Sequence, residues 1–189
     1  MSTTLRSFCG TATLMAVLAL PAQAQAPAGI VPDLITDITQ LEGKMMDLAR
    51  AIPEASYGWR PGEGVRSVAE VFQHVAADNY LLPGIMGTAP PAATGIDPAS
   101  YATVQQYETR KLSRVEVIAD LERSFAHLKQ AISATAPGTM GDELGAFGQT
   151  FTRQQMLVLT TTHLHEHLGQ AIAYARINGI VPPWSRSGN

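Results

Sequence analysis

The sequence is almost free of cysteine. The single one, Cys9, lies near the start of the chain, ahead of a short apolar run. The segment around it has the pattern of a leader that is removed from the finished protein. We therefore expect the finished chain to contain no cysteine, which excludes disulfides, thiolate metal ligands and a cysteine nucleophile.

Charged residues are also scarce, at 15% of the 189 residues, whereas 46% are hydrophobic. The 13 Lys and Arg residues are scattered, and the formal net charge is -3. Because no basic block is present, we expect neither nucleic acid nor an anionic membrane surface as a partner. Motifs for an acyl-transfer triad, a phosphate-binding glycine loop and a dinucleotide site are also missing. The length and composition suit one globular domain.

The N-terminal residues have the layout of a secretory signal peptide. One positive charge, Arg6, precedes the apolar run "LMAVLAL" and a stretch of small residues. The tripeptide "AQA" at 22–24 offers a cleavage site, and Ala26 offers a second one. The run is too short to cross a hydrocarbon core of ~30 Å, which disfavours a membrane anchor. We predict cleavage of residues 1–24 and a periplasmic or secreted domain at 25–189, without stable membrane insertion.

Helical periodicity dominates the rest of the sequence. Apolar residues recur every three or four positions over residues 33–52, 67–84, 104–135 and 152–178. The connectors between these segments are rich in Gly and Pro, and the one before the last segment has room for a short extended piece. This pattern predicts an all-α fold, a four-helix bundle.

Three capping boxes mark the starts of helices. They are "SVAE" at 67–70, "SRVE" at 113–116 and "TRQQ" at 152–155. The second box lies inside the third helical segment and predicts a break there. Beyond the break, an apolar stripe from Val115 to Ile132 predicts the buried face, and His127 lies off that stripe, on the predicted surface.

Three of the five histidines lie in "HLHEH", residues 163–167. At about 100° per residue, His167 lies at about 40° from His163, whereas His165 lies at about 200°. His163 and His167 therefore share the core-facing side of the helix, and His165 points away. An i,i+4 pair alone is more often structural or incidental than a metal site, so a third ligand is required. His74, on the second helix, is the remaining inward candidate.

Three histidines without a thiolate suit a divalent ion such as zinc, nickel or iron, and leave open coordination positions. Asp78, one turn after His74, is the candidate catalytic base, a fourth ligand or a partner of a ligand. Glu166 is a second candidate for the same roles. Gln170 and Tyr174 share the face of the histidine pair and are predicted to line the pocket.

Two stretches resemble the DinB/YfiT-like family of four-helix-bundle metalloproteins. They are "AIPEASYGWRPGEGVRSVAEVFQHVAADNYLL" and "HLHEHLGQAIAYARINGIVPP". The resemblance extends from about residue 33 to 184 and is weakest in the third helix. It implies a bundle that is often dimeric, with a metal on His74, His163 and His167. It also implies kinship with thiol-dependent transferases and isomerases.

Two functional hypotheses follow. The first is an exported metal-dependent hydrolase or transferase acting on a small molecule. The alternative is a non-catalytic bundle in which a metal or ligand serves structure or interaction. A homodimer is compatible with either, and the outward side chains of Val158, His165 and Ile172 offer a surface for it.

Overall fold

The computed structural model describes residues 29–186, and the predicted signal peptide lies outside them. Four long helices form the predicted bundle, with one short helix and one β-hairpin added to it. In chain order the elements are α1 (Ile30–Ala51), α2 (Val68–Ile85), α3 (Tyr101–Glu108), α4 (Arg114–Ser133), β1 (Glu143–Ala146), β2 (Gln149–Thr152) and α5 (Arg153–Ile177). Among the described residues, no helix combines the length and the hydropathy that crossing a membrane requires.

The helix α2 is the centre of the bundle. It packs against α4 on one side and against α5 and α3 on others, while α1 contacts α4 and α5. Every residue from Val71 to Pro83 is buried, because apolar residues lie all round this helix. Its buried polar residues include Gln73, which donates to the Arg110 carbonyl, and Asn79, which donates to the Ser124 hydroxyl. The remaining two, His74 and Asp78, belong to the site described below.

The three predicted capping boxes are all present. The side-chain oxygens of Glu70, Glu116 and Gln155 each accept a hydrogen bond of 2.7 Å from the backbone N–H of the capping residue three positions earlier. These bonds satisfy backbone donors that the first helical turn leaves free. The predicted break in the third segment is confirmed, since α3 ends at Glu108 and α4 begins at Arg114.

The connector before α5 contains an antiparallel hairpin. Its register pairs Glu143 with Thr152 and Ala146 with Gln149. The two residues of its turn, Phe147 and Gly148, have φ angles of 53° and 73°. Positive φ at both positions is the geometry of a type I′ turn, which matches the twist of the strands. Since Thr152 is both the last residue of β2 and the N-cap of α5, the hairpin is joined directly to the start of that helix.

Two expectations about α4 are wrong in detail. Val115 is 68% exposed, because the buried stripe begins at Val117 and continues through Leu121 and Phe125. His127 is half-buried rather than on the surface, and its ring lies 5.3 Å from that of Tyr80. The His127 ring is long enough to reach Tyr80 on α2 from the edge of the apolar stripe. Helical phase gives the direction of a side chain but not its reach.

Candidate metal centre

The structure brings the three predicted histidines together. His74 projects from the middle of α2, and His163 and His167 project from successive turns of α5. The Nε2 atom of His163 lies 3.2 Å from that of His74 and 3.0 Å from that of His167. Ligand atoms of all three residues lie within 4.8 Å of one another, as a shared ion requires. Helical phase on α5 therefore predicted which two of its histidines approach His74.

The chemistry of these nitrogens fits a cation. A neutral imidazole carries one N–H. The partners of His74 and His167 place that hydrogen on Nδ1, so both Nε2 atoms present a lone pair to His163. His163 can donate one hydrogen from Nε2, which satisfies only one of these two neighbours. A divalent ion satisfies all three, and zinc with Zn–N bonds of ~2.0–2.1 Å separates its tetrahedral ligands by about 3.3 Å.

Glu108, at the end of α3, holds His74 in place. Its Oε1 accepts a 2.7 Å hydrogen bond from His74 Nδ1, and its Oε2 accepts a 3.1 Å hydrogen bond from Arg66. Burial acts to raise the pKa of Glu108, but the hydrogen bond and charge of His74 and the Arg66 guanidinium lower it overall. An ionised carboxylate on Nδ1 makes Nε2 a more basic ligand.

A second chain of hydrogen bonds holds His167. Its Nδ1 lies 2.8 Å from Gln170 Oε1, and Gln170 Nε2 donates to the Tyr174 hydroxyl at 3.0 Å. That hydroxyl donates in turn to the carbonyl of Arg66 at 3.2 Å. Gln170 and Tyr174, which were predicted to line the pocket, thus hold the His167 ring in place, and neither is among the residues that line the cavity beside the cluster. By contrast, the Nδ1 atom of His163 is buried without a hydrogen-bond partner among the described residues.

The two α5 histidines of the cluster, His163 and His167, are held neutral by their surroundings. Burial lowers the pKa of His163 to about 3, and the charges of His167 and His74 act in the same direction. Burial also lowers the pKa of His167. A metal ligand must be deprotonated, so both side chains are in the required form at neutral pH.

Asp78 lies at the edge of the histidine cluster. Its Oδ2 is 3.2 Å from His163 Nε2 and 3.4 Å from His74 Nε2. Burial raises its pKa to about 6, an effect that the His74 charge opposes and the Glu108 charge assists. His74, Asp78 and Glu108 also form a second close group, but Glu108 is already engaged by Arg66 and His74 Nδ1. The histidine triad is therefore the better candidate for an ion.

The other two polar residues of "HLHEH" lie outside the cluster. His165 is exposed, and its Nε2 lies 2.8 Å from Asp37 Oδ2 on α1. It points away from the pair, as helical phase predicted. Glu166 is exposed to solvent, so it is a weaker candidate than Asp78 for a role in the site.

A cavity of about 350 Å³ opens beside the cluster. His74, Asp78 and His163 form its polar end. Its other lining residues are apolar or aromatic: Leu81, Leu82, Tyr101, Phe147 and Leu159. Sequence reasoning missed Tyr101 and Phe147, and it also missed Glu108 and Arg66, because each comes from a connector or a short element without a local signal.

Helical bundles with side chains that converge inward from facing helices are a class of fold in which metal sites are built. The DinB superfamily model matches residues 37–171, which is more than half of the chain. The chain therefore belongs to the DinB superfamily. A comparison with curated proteins finds no matching sequence.

Solved structures share the fold at low identity. One of them is YfiT from Bacillus subtilis, which is described as a probable metal-dependent hydrolase with an unusual four-helix bundle topology. It is 12% identical to this chain, with a TM-score of 0.61, and the match covers 86% of this chain and 95% of YfiT. A conserved protein from Enterococcus faecalis is 15% identical, with 79% and 97% covered and a TM-score of 0.66. The mycothiol-dependent maleylpyruvate isomerase is 18% identical, with 74% of this chain and 59% of the isomerase covered and a TM-score of 0.58.

Proposed function

We propose that this protein is a metal-dependent hydrolase whose divalent ion is held by His74, His163 and His167. The observation that carries the proposal is the convergence of three Nε2 atoms, two of which have their Nδ1 atoms held by Glu108 and Gln170. Zinc, nickel and iron all suit this donor set. The description of YfiT supports the hydrolytic reaction by analogy of fold.

Three protein ligands leave coordination positions open, as catalytic sites do. When bound, the ion would polarise a substrate oxygen and lower the pKa of a bound water. Asp78 would accept the proton of the attacking water, since it lines the cavity and its Oδ2 lies near two of the proposed ligands. Glu108 and Gln170 would keep both imidazole rings oriented.

We also propose that the protein is exported. The support is the charge, apolar run and small-residue site at residues 1–24. A thiol-dependent transfer or isomerisation is the rival chemistry at the same site, because one structural neighbour is described as a mycothiol-dependent isomerase. We favour hydrolysis because it needs only a proton acceptor beside the cluster, such as Asp78, and water, which every compartment supplies.

Metal content tests the site directly. The protein is purified from the exported fraction and its metal is measured by mass spectrometry, beside His74→Ala, His163→Ala and His165→Ala. We expect about one equivalent in the parent and in His165→Ala, because His165 bonds to Asp37 instead. We expect little metal in the other two variants. Full occupancy of both His74→Ala and His163→Ala would refute the site.

Activity then separates an enzyme from a structural metal bundle. The loaded protein is screened against ester and amide substrates, and Asp78→Asn is compared with the parent for any substrate found. Loss of the proton acceptor is expected to lower kcat about 10²-fold or more with the metal retained. A blank screen together with an ion whose coordination is closed to added anions would favour the non-catalytic alternative.

A further inference from the structure

The cavity beside the histidines has two chemically different ends. One end consists of the ligand side chains and Asp78, and the other is walled by the apolar residues Leu81, Leu82 and Leu159 and by the rings of Tyr101 and Phe147. No Lys or Arg lines it, so it offers nothing to an anionic tail. Its volume, about 350 Å³, lies at the lower end of the range of small-molecule sites.

Phe147 is an unusual residue for its position. It is the first residue of the hairpin turn, with φ at 53°, where Asn, Asp or Gly is favoured and a bulky side chain is strained. The residue is 54% exposed, and its ring stands nearly perpendicular to that of Phe151, at 6.5 Å between centroids. A strained backbone and an exposed aromatic ring at the mouth of a cavity point to a role in ligand binding.

Tyr101 also lines the cavity and is equally exposed, at 55%. A second cavity of about 410 Å³ lies next to the first and shares Leu81, Tyr101 and Phe147 with it. Its remaining lining is made of small or apolar residues of α2, of the segment before α3 and of β1. The apolar surface thus extends away from the histidines, past the two rings.

We infer that the metal centre acts on small molecules that carry an uncharged apolar group, such as an aromatic ring or a short alkyl chain. The polar, reactive end of the substrate faces the histidines and Asp78, and the apolar group lies between Tyr101 and Phe147. These two residues determine specificity and do not take part in the chemistry. Only the part of this inference that concerns the polar end of the substrate rests on the proposed function.

The test uses zinc-loaded protein and two hydroxamates, which share a metal-binding head. Isothermal titration compares benzohydroxamate with acetohydroxamate, which has no apolar group beyond one methyl. Burial of the ring is expected to make benzohydroxamate roughly tenfold to fiftyfold tighter. Phe147→Asn and Tyr101→Ser are each expected to reduce this advantage to about threefold or less. Val115→Ser, at an exposed apolar residue of α4 away from the cavity, is the matched control and should keep it.

Asn is chosen at position 147 because it tolerates positive φ, so the hairpin should remain folded. Equal affinity for the two hydroxamates, or an unchanged advantage in Phe147→Asn and Tyr101→Ser, would overturn the inference while leaving the metal site intact.

A protein that binds none of zinc, nickel and iron would contradict the proposed function alone. The apolar group is then tested without metal, by saturation-transfer NMR of benzyl alcohol. A signal that Phe147→Asn loses and Val115→Ser keeps would support the inference, and equal signals in both variants would reject it.

Discussion

At the scale of single residues, the partner of each imidazole decides which nitrogen is free to bind. Glu108 and Gln170 both accept from Nδ1 and leave Nε2 to the cluster, but only Glu108 carries a charge. Arg66 bonds to this carboxylate and, through its backbone carbonyl, accepts from Tyr174. The hydrogen bonds that support His74 and those that support His167 therefore both end at Arg66, which immediately precedes the N-cap of α2.

Glu108→Gln is expected to weaken metal binding. The amide oxygen can still accept from His74 Nδ1, but it no longer raises the basicity of the ring or pairs with Arg66. Loss of such a supporting group typically reduces metal affinity 10-fold to 100-fold, and we expect a change in that range. Competition with a zinc-sensitive chelator measures it.

The control for this variant is Glu122→Gln, an exposed carboxylate on α4. It removes the same charge from the protein without touching the cluster. If the two variants had the same zinc affinity, the effect would come from net charge alone and Glu108 would not position His74.

At the scale of secondary structure, the parts that the sequence predicted are those with local signals. Capping boxes at Ser67, Ser113 and Thr152 and the spacing of apolar residues predicted the long helices, and phase along α5 separated His165 from His163 and His167. Such signals depend on residues within one or two turns. They are readable from one sequence because the physical interaction is itself local.

The short helix α3 shows why the rest of the site could not be predicted. It has eight residues and no side-chain cap, so it is marginal by itself and depends on packing. Val104 and Tyr107 bury its inner face, and the Tyr107 hydroxyl donates to Asp120 on α4. Tyr101 and Glu108, seven residues apart, consequently reach the cavity and His74. These contacts span many residues, and no short pattern encodes them.

The connector between α1 and α2 is fixed by Tyr57. Its buried hydroxyl donates to the Ala49 carbonyl of α1 at 2.7 Å, and its own carbonyl accepts from Ala69 N in α2. Burial raises the pKa of Tyr57 to about 12, although the nearby Arg114 opposes the shift. In the unfolded chain a tyrosine ionises near pH ~10. Between these values the unfolded state binds fewer protons, so stability falls as pH rises.

Alkaline unfolding tests this arrangement. We expect the free energy of unfolding to fall between pH ~10 and ~12, with roughly 1 to 3 kcal/mol of the loss due to Tyr57. Tyr57→Phe should lose about 1 kcal/mol at neutral pH, through the missing hydrogen bond, and should then fall less steeply above pH ~10. Denaturant titrations at a series of pH values measure both effects.

Tyr101→Phe is the control for this series, since Tyr101 is exposed and lies outside the connector. It should follow the parent curve from neutral to alkaline pH. A Tyr57→Phe curve parallel to that of the parent above pH ~10 would show that the hydroxyl of Tyr57 ionises alike in the folded and unfolded states.

At the scale of the whole molecule, the histidine cluster joins elements that are distant in sequence. It connects α2 to α5 directly and, through Glu108, to α3. The three candidate ligands span residues 74–167, and their Nε2 atoms converge only when these helices are folded and packed. An ion held at this position would bind the native state and have no comparable site in the unfolded chain, so binding would add to stability.

Removal of metal is therefore expected to lower the melting temperature. At free zinc 100-fold above its dissociation constant, binding contributes about 2.7 kcal/mol. For a domain of this size that corresponds to a fall of roughly 5 to 10 °C on chelation. Scanning calorimetry with and without chelator measures the shift for the parent, for His163→Ala and for His165→Ala.

His165→Ala should show the same shift as the parent, because the partner of His165 is Asp37, whereas His163→Ala should melt at one temperature in both conditions. A chelator effect of equal size in His163→Ala would place the stabilising ion elsewhere in the protein.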